Sequence, residues 1–292
     1  MNKLKSIIRG STIGICAPAA RFNGHDFQRG IQVLEENGFK VVVPAQVHEK
    51  KRYLAGEDRR RACTIMSLFS DPLIDGIICA RGGFGTLRIL DHLDWNVIRH
   101  HPKPLVGFSD ISALLLTLIQ QANLPVIHGP NVTSLGNASE ETLRSLISAL
   151  EGNLERILLD RTRVLCPGRG RGRFLGGNLA TISHLLGTPF EPDFSDGILF
   201  LEDRGEPAYK IDRMLTQMKM AGLFDRIKGV VTGTFKDCDH EAYIPEILQE
   251  TFAGYGIPLV SGLESGHDRQ NLSLSMGYPV ELNTLDHSLT YI

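Results

Sequence analysis

A serine, an acid and a histidine, spread over 292 residues, could together carry an acyl transfer. Ser109 lies in GFSDIS (Gly107 to Ser112), between the apolar runs PLV and ALLLTLI. A strand that turns directly into a helix can hold a hydroxyl proud of a sheet, as in a nucleophile elbow. The next backbone N–H, on Asp110, sits at the helix N-terminus and points where an oxyanion would form. Ile111 stands where the second glycine of G-x-S-x-G would be, and Ser109 or Asp110 could equally serve as a helix cap. Glu202 ends the apolar run of GILFLEDRGEP, with Asp203 and Glu206 as competing acids. These residues could instead open a loop and cap the helix that follows. His267 follows a glycine in SGHDRQNLSLSMG, although an isolated loop histidine is more often a surface residue. A serine hydroxyl needs a base, and imidazole, with a free pKa near ~6.5, suits the task. The imidazole needs an acid to fix its tautomer. Ser109, Glu202 and His267 supply these types in the chain order of α/β-hydrolases.

A second feature is ARGGFGT (Ala80 to Thr86), which follows an apolar run. Its bare N–H groups could bind an anion or donate to an oxyanion. It could also be a tight strand-to-helix turn. No Gly-Lys-Ser/Thr follows and no G-x-G-x-x-G is present, which excludes a P-loop and a dinucleotide fingerprint. His128 ends an apolar strand before Gly129-Pro130 and is placed against the same cleft. Cys238 and His240 lack metal-pair spacing.

Short apolar segments alternating with helical ones must position these groups. Thr12 to Pro18, Lys40 to Pro44, Gly76 to Ala80, Pro104 to Phe108 and Pro125 to His128 read as buried strands. The helices between them start near Asp26, Glu57 and Ile111, and a further helix covers Thr142 to Leu150. This pattern implies a parallel sheet covered on both faces, with ligands at the carboxyl ends of its strands. Glycine and arginine dominate from Glu151 to Arg173, which reads as a linker. Beyond it, strands at Gly197 to Glu202 and Gly229 to Phe235 alternate with helices at Asn178 to Leu186, Ile211 to Ala221 and Tyr243 to Phe252. The tail alternates with period two around Gly277-Tyr278-Pro279, as antiparallel β-structure does. The expected domains are 1–150, carrying the nucleophile, a linker over 151–173, and a smaller β-rich mixed domain over 174–292 carrying the acid and the histidine.

Composition narrows the function. The net charge of −2 does not suit a general polyanion binder, so Arg161, Arg163, Arg169, Arg171 and Arg173 read as a solvated stretch rather than a nucleic-acid site. Five widely spaced cysteines with no CxxC argue against a disulfide framework and a zinc site, and suit a reducing compartment. MNKLKSIIRGSTIGICAP has no long apolar core, so neither a signal peptide nor a membrane span is expected, and the cytoplasm is the default.

The motifs GICAP, YLAG, ARGGFGTLRILDHLD, GFSDISALL, HGP, LGGNLATISHLLGTPFEPDF, LFLEDRGEPAYKIDRML, GTFKDC and SGHDRQNLSLSMG run through nearly the whole chain in order. Together they resemble the LD-carboxypeptidase (muramoyltetrapeptide carboxypeptidase) family, serine peptidases of the murein-recycling type. The resemblance implies a Rossmann-like parallel-sheet domain, akin to class I glutamine amidotransferases, followed by a smaller β-rich mixed domain. It implies a triad of Ser109, Glu202 and His267, with Glu206 the competitor for the acid. It also implies oxyanion donors at the N–H groups of Asp110 and of Gly82 or Gly83. Arg81 or Arg204 could pair with the substrate's terminal carboxylate. No metal or organic cofactor is implied, and the partners are a small peptide or muropeptide and a second copy in a homodimer. Ser11 and Cys16 depart from the family's usual acid and aliphatic residue, away from the triad. Two other readings stand beside this one: a microcin-immunity-type peptidase acting on an aminoacyl-nucleotide, and a non-catalytic peptide-binding protein.

Overall fold

The computed structural model describes residues 5–292. The expectation of no N-terminal leader falls partly on residues 1–4, outside the described residues. Contacts divide the chain into two compact units. One holds the residues up to Asn153 together with Leu272–Ser275; the other holds Leu154–Asn271 and Met276–Ile292. No described helix is long and apolar enough to cross a membrane.

The first unit is built on β1 (Thr12–Cys16), β2 (Lys40–Val42), β3 (Gly76–Cys79), β4 (Leu105–Gly107) and β5 (Val126–His128). These pair in parallel in the order β5-β4-β3-β1-β2, and a sixth strand, Leu274–Met276, lies beside β5. The helices are α1 (Gly24–Glu36), α2 (Asp58–Ser70), α3 (Trp95–His100), α4 (Ser112–Ala122), α5 (Val132–Leu135) and α6 (Glu140–Glu151). Alternation along β1 explains the two covered faces. Ile13 and Ile15 point into a core with Phe27, Ile31 and Leu34 of α1 and Leu146 and Leu150 of α6. Gly14, between them, leaves its bare face to Leu68 of α2. α1 buries residues spaced four and three apart, as an amphipathic helix does. Its N-cap is Asn23, whose side chain accepts from the N–H of His25, not the expected Asp26. The strand order reverses between β1 and β3, and ligands gather beyond the carboxyl ends at such a switch point. Pro18 and the Gly82–Gly85 loop lie there.

The second unit contains β6 (Ile157–Leu158), β7 (Arg163–Cys166), β8 (Arg169–Asn178), α7 (Leu179–Ser183), β9 (Gly197–Arg204), α8 (Ala208–Met220), β10 (Gly229–Lys236), α9 (Ile244–Phe252) and β11 (Leu259–Ser261). After β12 (Leu274–Met276), the strand beside β5, the chain ends in β13 (Pro279–Asn283) and β14 (Ser288–Tyr291). The eight-stranded mixed sheet runs β6-β14-β13-β8-β9-β10-β11-β7. β8 to β11 are mutually parallel, and β13 and β14 are antiparallel, as the tail's period predicts.

The expected linker over 151–173 is corrected: it carries β6, β7 and the first half of β8. Arg169-Gly170-Arg171-Gly172-Arg173 alternates with period two, which is the strand signal itself. Its glycine face is closed by backbone, since a Cβ would fall 1.9 Å from Lys228 O at Gly170 and 2.2 Å from Asp196 O at Gly172. On the other face, Glu281 of β13 bridges Arg169 and Arg171. The helix expected over Asn178 to Leu186 is also shorter, ending at Ser183.

Candidate active site

In the first unit, the turn after β4 holds Ser109 at φ +67°, a left-handed conformation that is uncommon outside glycine. A short 3₁₀ turn, Ser109–Ile111, leads into α4, whose N-cap position is Ile111. Ser109 is therefore not the cap of that helix. The carboxylate of Asp110 instead accepts the N–H of Thr86 at 2.8 Å, which fastens the Ser109 turn to the glycine loop. Gly82 is where that loop closes on the serine. A Cβ at Gly82 would sit 2.8 Å from Ser109 Cβ and 3.1 Å from Ser109 Oγ, so any larger residue would collide with the hydroxyl. Gly83 faces elsewhere, toward Ala20. Of the two candidate glycines, the one beside the hydroxyl is Gly82.

In the second unit, β9 carries Glu202 and Asp203 to opposite destinations. Glu202 has no exposure, and its Oε2 lies 2.6 Å from Nδ1 of His267, whose side chain is 13% exposed. A carboxylate only accepts, so this bond places a proton on Nδ1 and leaves the lone pair of neutral imidazole on Nε2. Gly266 makes the approach possible: its φ is +123°, and a Cβ there would lie 2.6 Å from Glu202 Oε2. The N–H of Gly266 donates to Asn271 Oδ1 at 2.9 Å, holding the histidine loop. Asp203 accepts from Asn178 Nδ2, from the N–H of Ala180 at the start of α7 and from its neighbour Arg204 N–H. Burial, with the charge of Glu202 adding to it, pushes the Asp203 carboxyl up to about 6. Glu206 pairs with Lys210 at 3.5 Å. The acid that meets His267 is Glu202.

The structure thus brings Ser109, Asp110 and Gly82 together in one unit and Glu202 and His267 together in the other. Arg81 donates to the carbonyl of Arg21 at 2.9 Å. Arg204 is bridged to Asp237 at 2.9 Å. The placement of His128 is corrected: it has no exposed surface, and its ring stands edge-on to Phe108 at 6.2 Å. β5 is not the sheet edge, because β12 covers it, so a residue in its register is enclosed on both sides. Sequence reading missed Arg61, which reaches the glycine loop from α2, and Asp58, which grips it. The available signal was that Arg61 shares the apolar stripe of Ile65, Leu68 and Phe69, where a charge is out of place.

A serine elbow in one α/β unit and a buried acid–imidazole pair in another are parts used by hydrolases that work through a hydroxyl. The sequence matches the LD-carboxypeptidase N-terminal domain over residues 13–129 and the LD-carboxypeptidase C-terminal domain over residues 171–282. The chain belongs to the LD-carboxypeptidase family and is an α/β hydrolytic enzyme of the peptidase class. It is 32% identical to the murein tetrapeptide carboxypeptidase of Pseudomonas aeruginosa, over 91% of either chain. The muramoyltetrapeptide carboxypeptidase of Oxalobacter formigenes superposes with a TM-score of 0.85 at 28% identity, over 96% of this chain and 97% of that one. The microcin C7 self immunity protein MccF has the same fold, with a TM-score of 0.92 at 24% identity, over 100% and 98% of the two chains.

Proposed function

We propose that the protein is a serine-type LD-carboxypeptidase that releases the terminal D-alanine of a peptidoglycan tetrapeptide. The observation that carries this reading is the 2.6 Å bond between His267 and a wholly buried Glu202, in a chain whose other unit presents Ser109 on a left-handed turn. The name of the Pseudomonas relative supports the substrate.

In this reading, Ser109 Oγ attacks the carbonyl between the diamino acid and D-alanine while Nε2 of His267 takes its proton. The N–H groups of Asp110 and Gly82 receive the oxyanion, and one such donor contributes roughly 10²- to 10³-fold in rate. His267 then protonates the leaving amine of D-alanine. A water, deprotonated by the same nitrogen, cleaves the acyl-serine and restores the hydroxyl. Glu202 holds the imidazole and balances its charge. Arg81 or Arg204 pairs with the free carboxylate that marks a chain end. The family resemblance extends the reading to murein recycling in the cytoplasm by a homodimer.

The test is D-alanine release from purified tetrapeptide. The wild type should release it, and Ser109→Ala should release none while keeping its circular dichroism spectrum. Full activity in Ser109→Ala would end the proposal. A second reading is favoured by the fold shared with MccF, one structure of which is described as a complex with aspartyl sulfamoyl adenosine. Hydrolysis of that compound without D-alanine release would favour it. Turnover of neither would favour a binding protein.

A further inference from the structure

Arg61 has no exposed surface and is the bulkiest fully buried side chain among the described residues. A guanidinium remains charged, so burying it is tolerable only with partners. Its Nη1 donates to the carbonyl of Pro18, just past β1, and to the carbonyl of Gly85 at 3.0 Å, at the far end of the glycine loop. Its Nη2 meets Asp58 Oδ1 at 2.5 Å. Asp58 is gripped in turn by Arg88, 2.6 Å from its other oxygen, and the two arginines hold the Asp58 carboxyl at about 2. The loop is pinned at two further points. Ala20 N–H donates to the Gly82 carbonyl at 3.2 Å, and Thr86 N–H donates to Asp110 at 2.8 Å.

We propose that Arg61 is a positioning residue for the reaction: by tying the Gly85 carbonyl to the end of β1, it sets the Gly82 N–H beside Ser109. It touches no substrate. Two buried charges approach one five-residue loop from different elements, Arg61 from α2 and Asp110 from the nucleophile turn. A strand-to-helix turn needs no such clamp; a loop that must hold an N–H to within a fraction of an ångström of a reacting atom does. The inference rests on the function proposed above.

Arg61→Met preserves bulk and removes the donors, Arg61→Lys keeps a single charged donor group, and Asp58→Asn leaves Arg61 in place but loosens it. In Arg61→Met, kcat for D-alanine release should fall about 10- to 100-fold with KM within about twofold, the signature of a group felt only in the transition state. Arg61→Lys should recover part of that loss, and Asp58→Asn should fall severalfold in kcat. Amide hydrogen exchange over residues 82–86 should accelerate in all three. A folded Arg61→Met with unchanged kcat, or a lysine variant no better than methionine, would overturn the proposal. If Arg61→Met does not fold, Asp58→Asn decides by the same kcat and exchange criteria. If the wild type releases no D-alanine, the function itself fails, and unchanged exchange over 82–86 would then sink the clamp separately.

Discussion

Ser109 at φ +67° and Glu202 with no exposure are both unfavourable arrangements taken alone. A left-handed non-glycine residue costs of order 1–3 kcal/mol, and a buried carboxylate needs a specific partner. Such features persist where chemistry needs them, which is why the two together point to a reaction. The sequence placed the acid in one short segment and named Glu202, with Asp203 and Glu206 as its competitors. The choice depends on which face of β9 each side chain takes, and both Glu202 and Asp203 lie at a strand end where either face was open. The structure sends Glu202 to His267 and Asp203 to Asn178 and α7. Glu202→Gln should therefore lower kcat by about 10²- to 10⁴-fold, because an amide can hold the wrong imidazole tautomer. Glu206→Gln, at the Lys210 pair, should stay within about twofold of wild type, since Glu206 bonds Lys210 and not His267, and a partly exposed pair contributes little. Steady-state kinetics on the two variants, side by side, checks the assignment; the reverse ranking would move the acid to Glu206.

The parallel strands of the first unit were legible because apolar runs ending at Gly, Pro or Ser are short and bounded, and their order along the chain matches the structure. The Arg/Gly segment reads as a linker despite its period-two alternation, because that alternation sets arginine against glycine and neither carries a hydrophobic signal. The role of Gly170 and Gly172 appears only once Lys228 and Asp196 are seen against them. Asp203 gives this scale its prediction. It joins the ends of β8 and β9 to the start of α7, and its folded pKa of about 6 lies above the ordinary 3.8. The fold thus favours the protonated form. The associated stability is fully present below about pH 4 and is lost as pH rises through about 6. Asp203→Asn removes that titration, so its stability relative to wild type should improve between pH 4 and pH 7, by up to about 3 kcal/mol. Denaturant midpoints at several pH values measure this, and a pH-independent offset would refute it.

At the scale of the molecule, the two-unit organisation follows from the change of pattern after residue 150, but the return of Leu272–Ser275 to the first unit was not legible. LSLSM alternates like its neighbours, and nothing in its residues says which sheet it joins. With it, the first unit is discontinuous, and β5 has a neighbour on each side. A fragment ending at Asn153 should expose the bare edge of β5 and aggregate, where a fragment supplemented with residues 272–276, which contain β12, through a short linker should stay monomeric in sedimentation. Equal behaviour of the two fragments would show the edge strand to be dispensable. The same connectivity orders events during synthesis. The sheet whose strand β4 leads into Ser109 cannot be completed until the ribosome has passed residue 276, so a chain terminated before β12 leaves the edge of β5 unpaired.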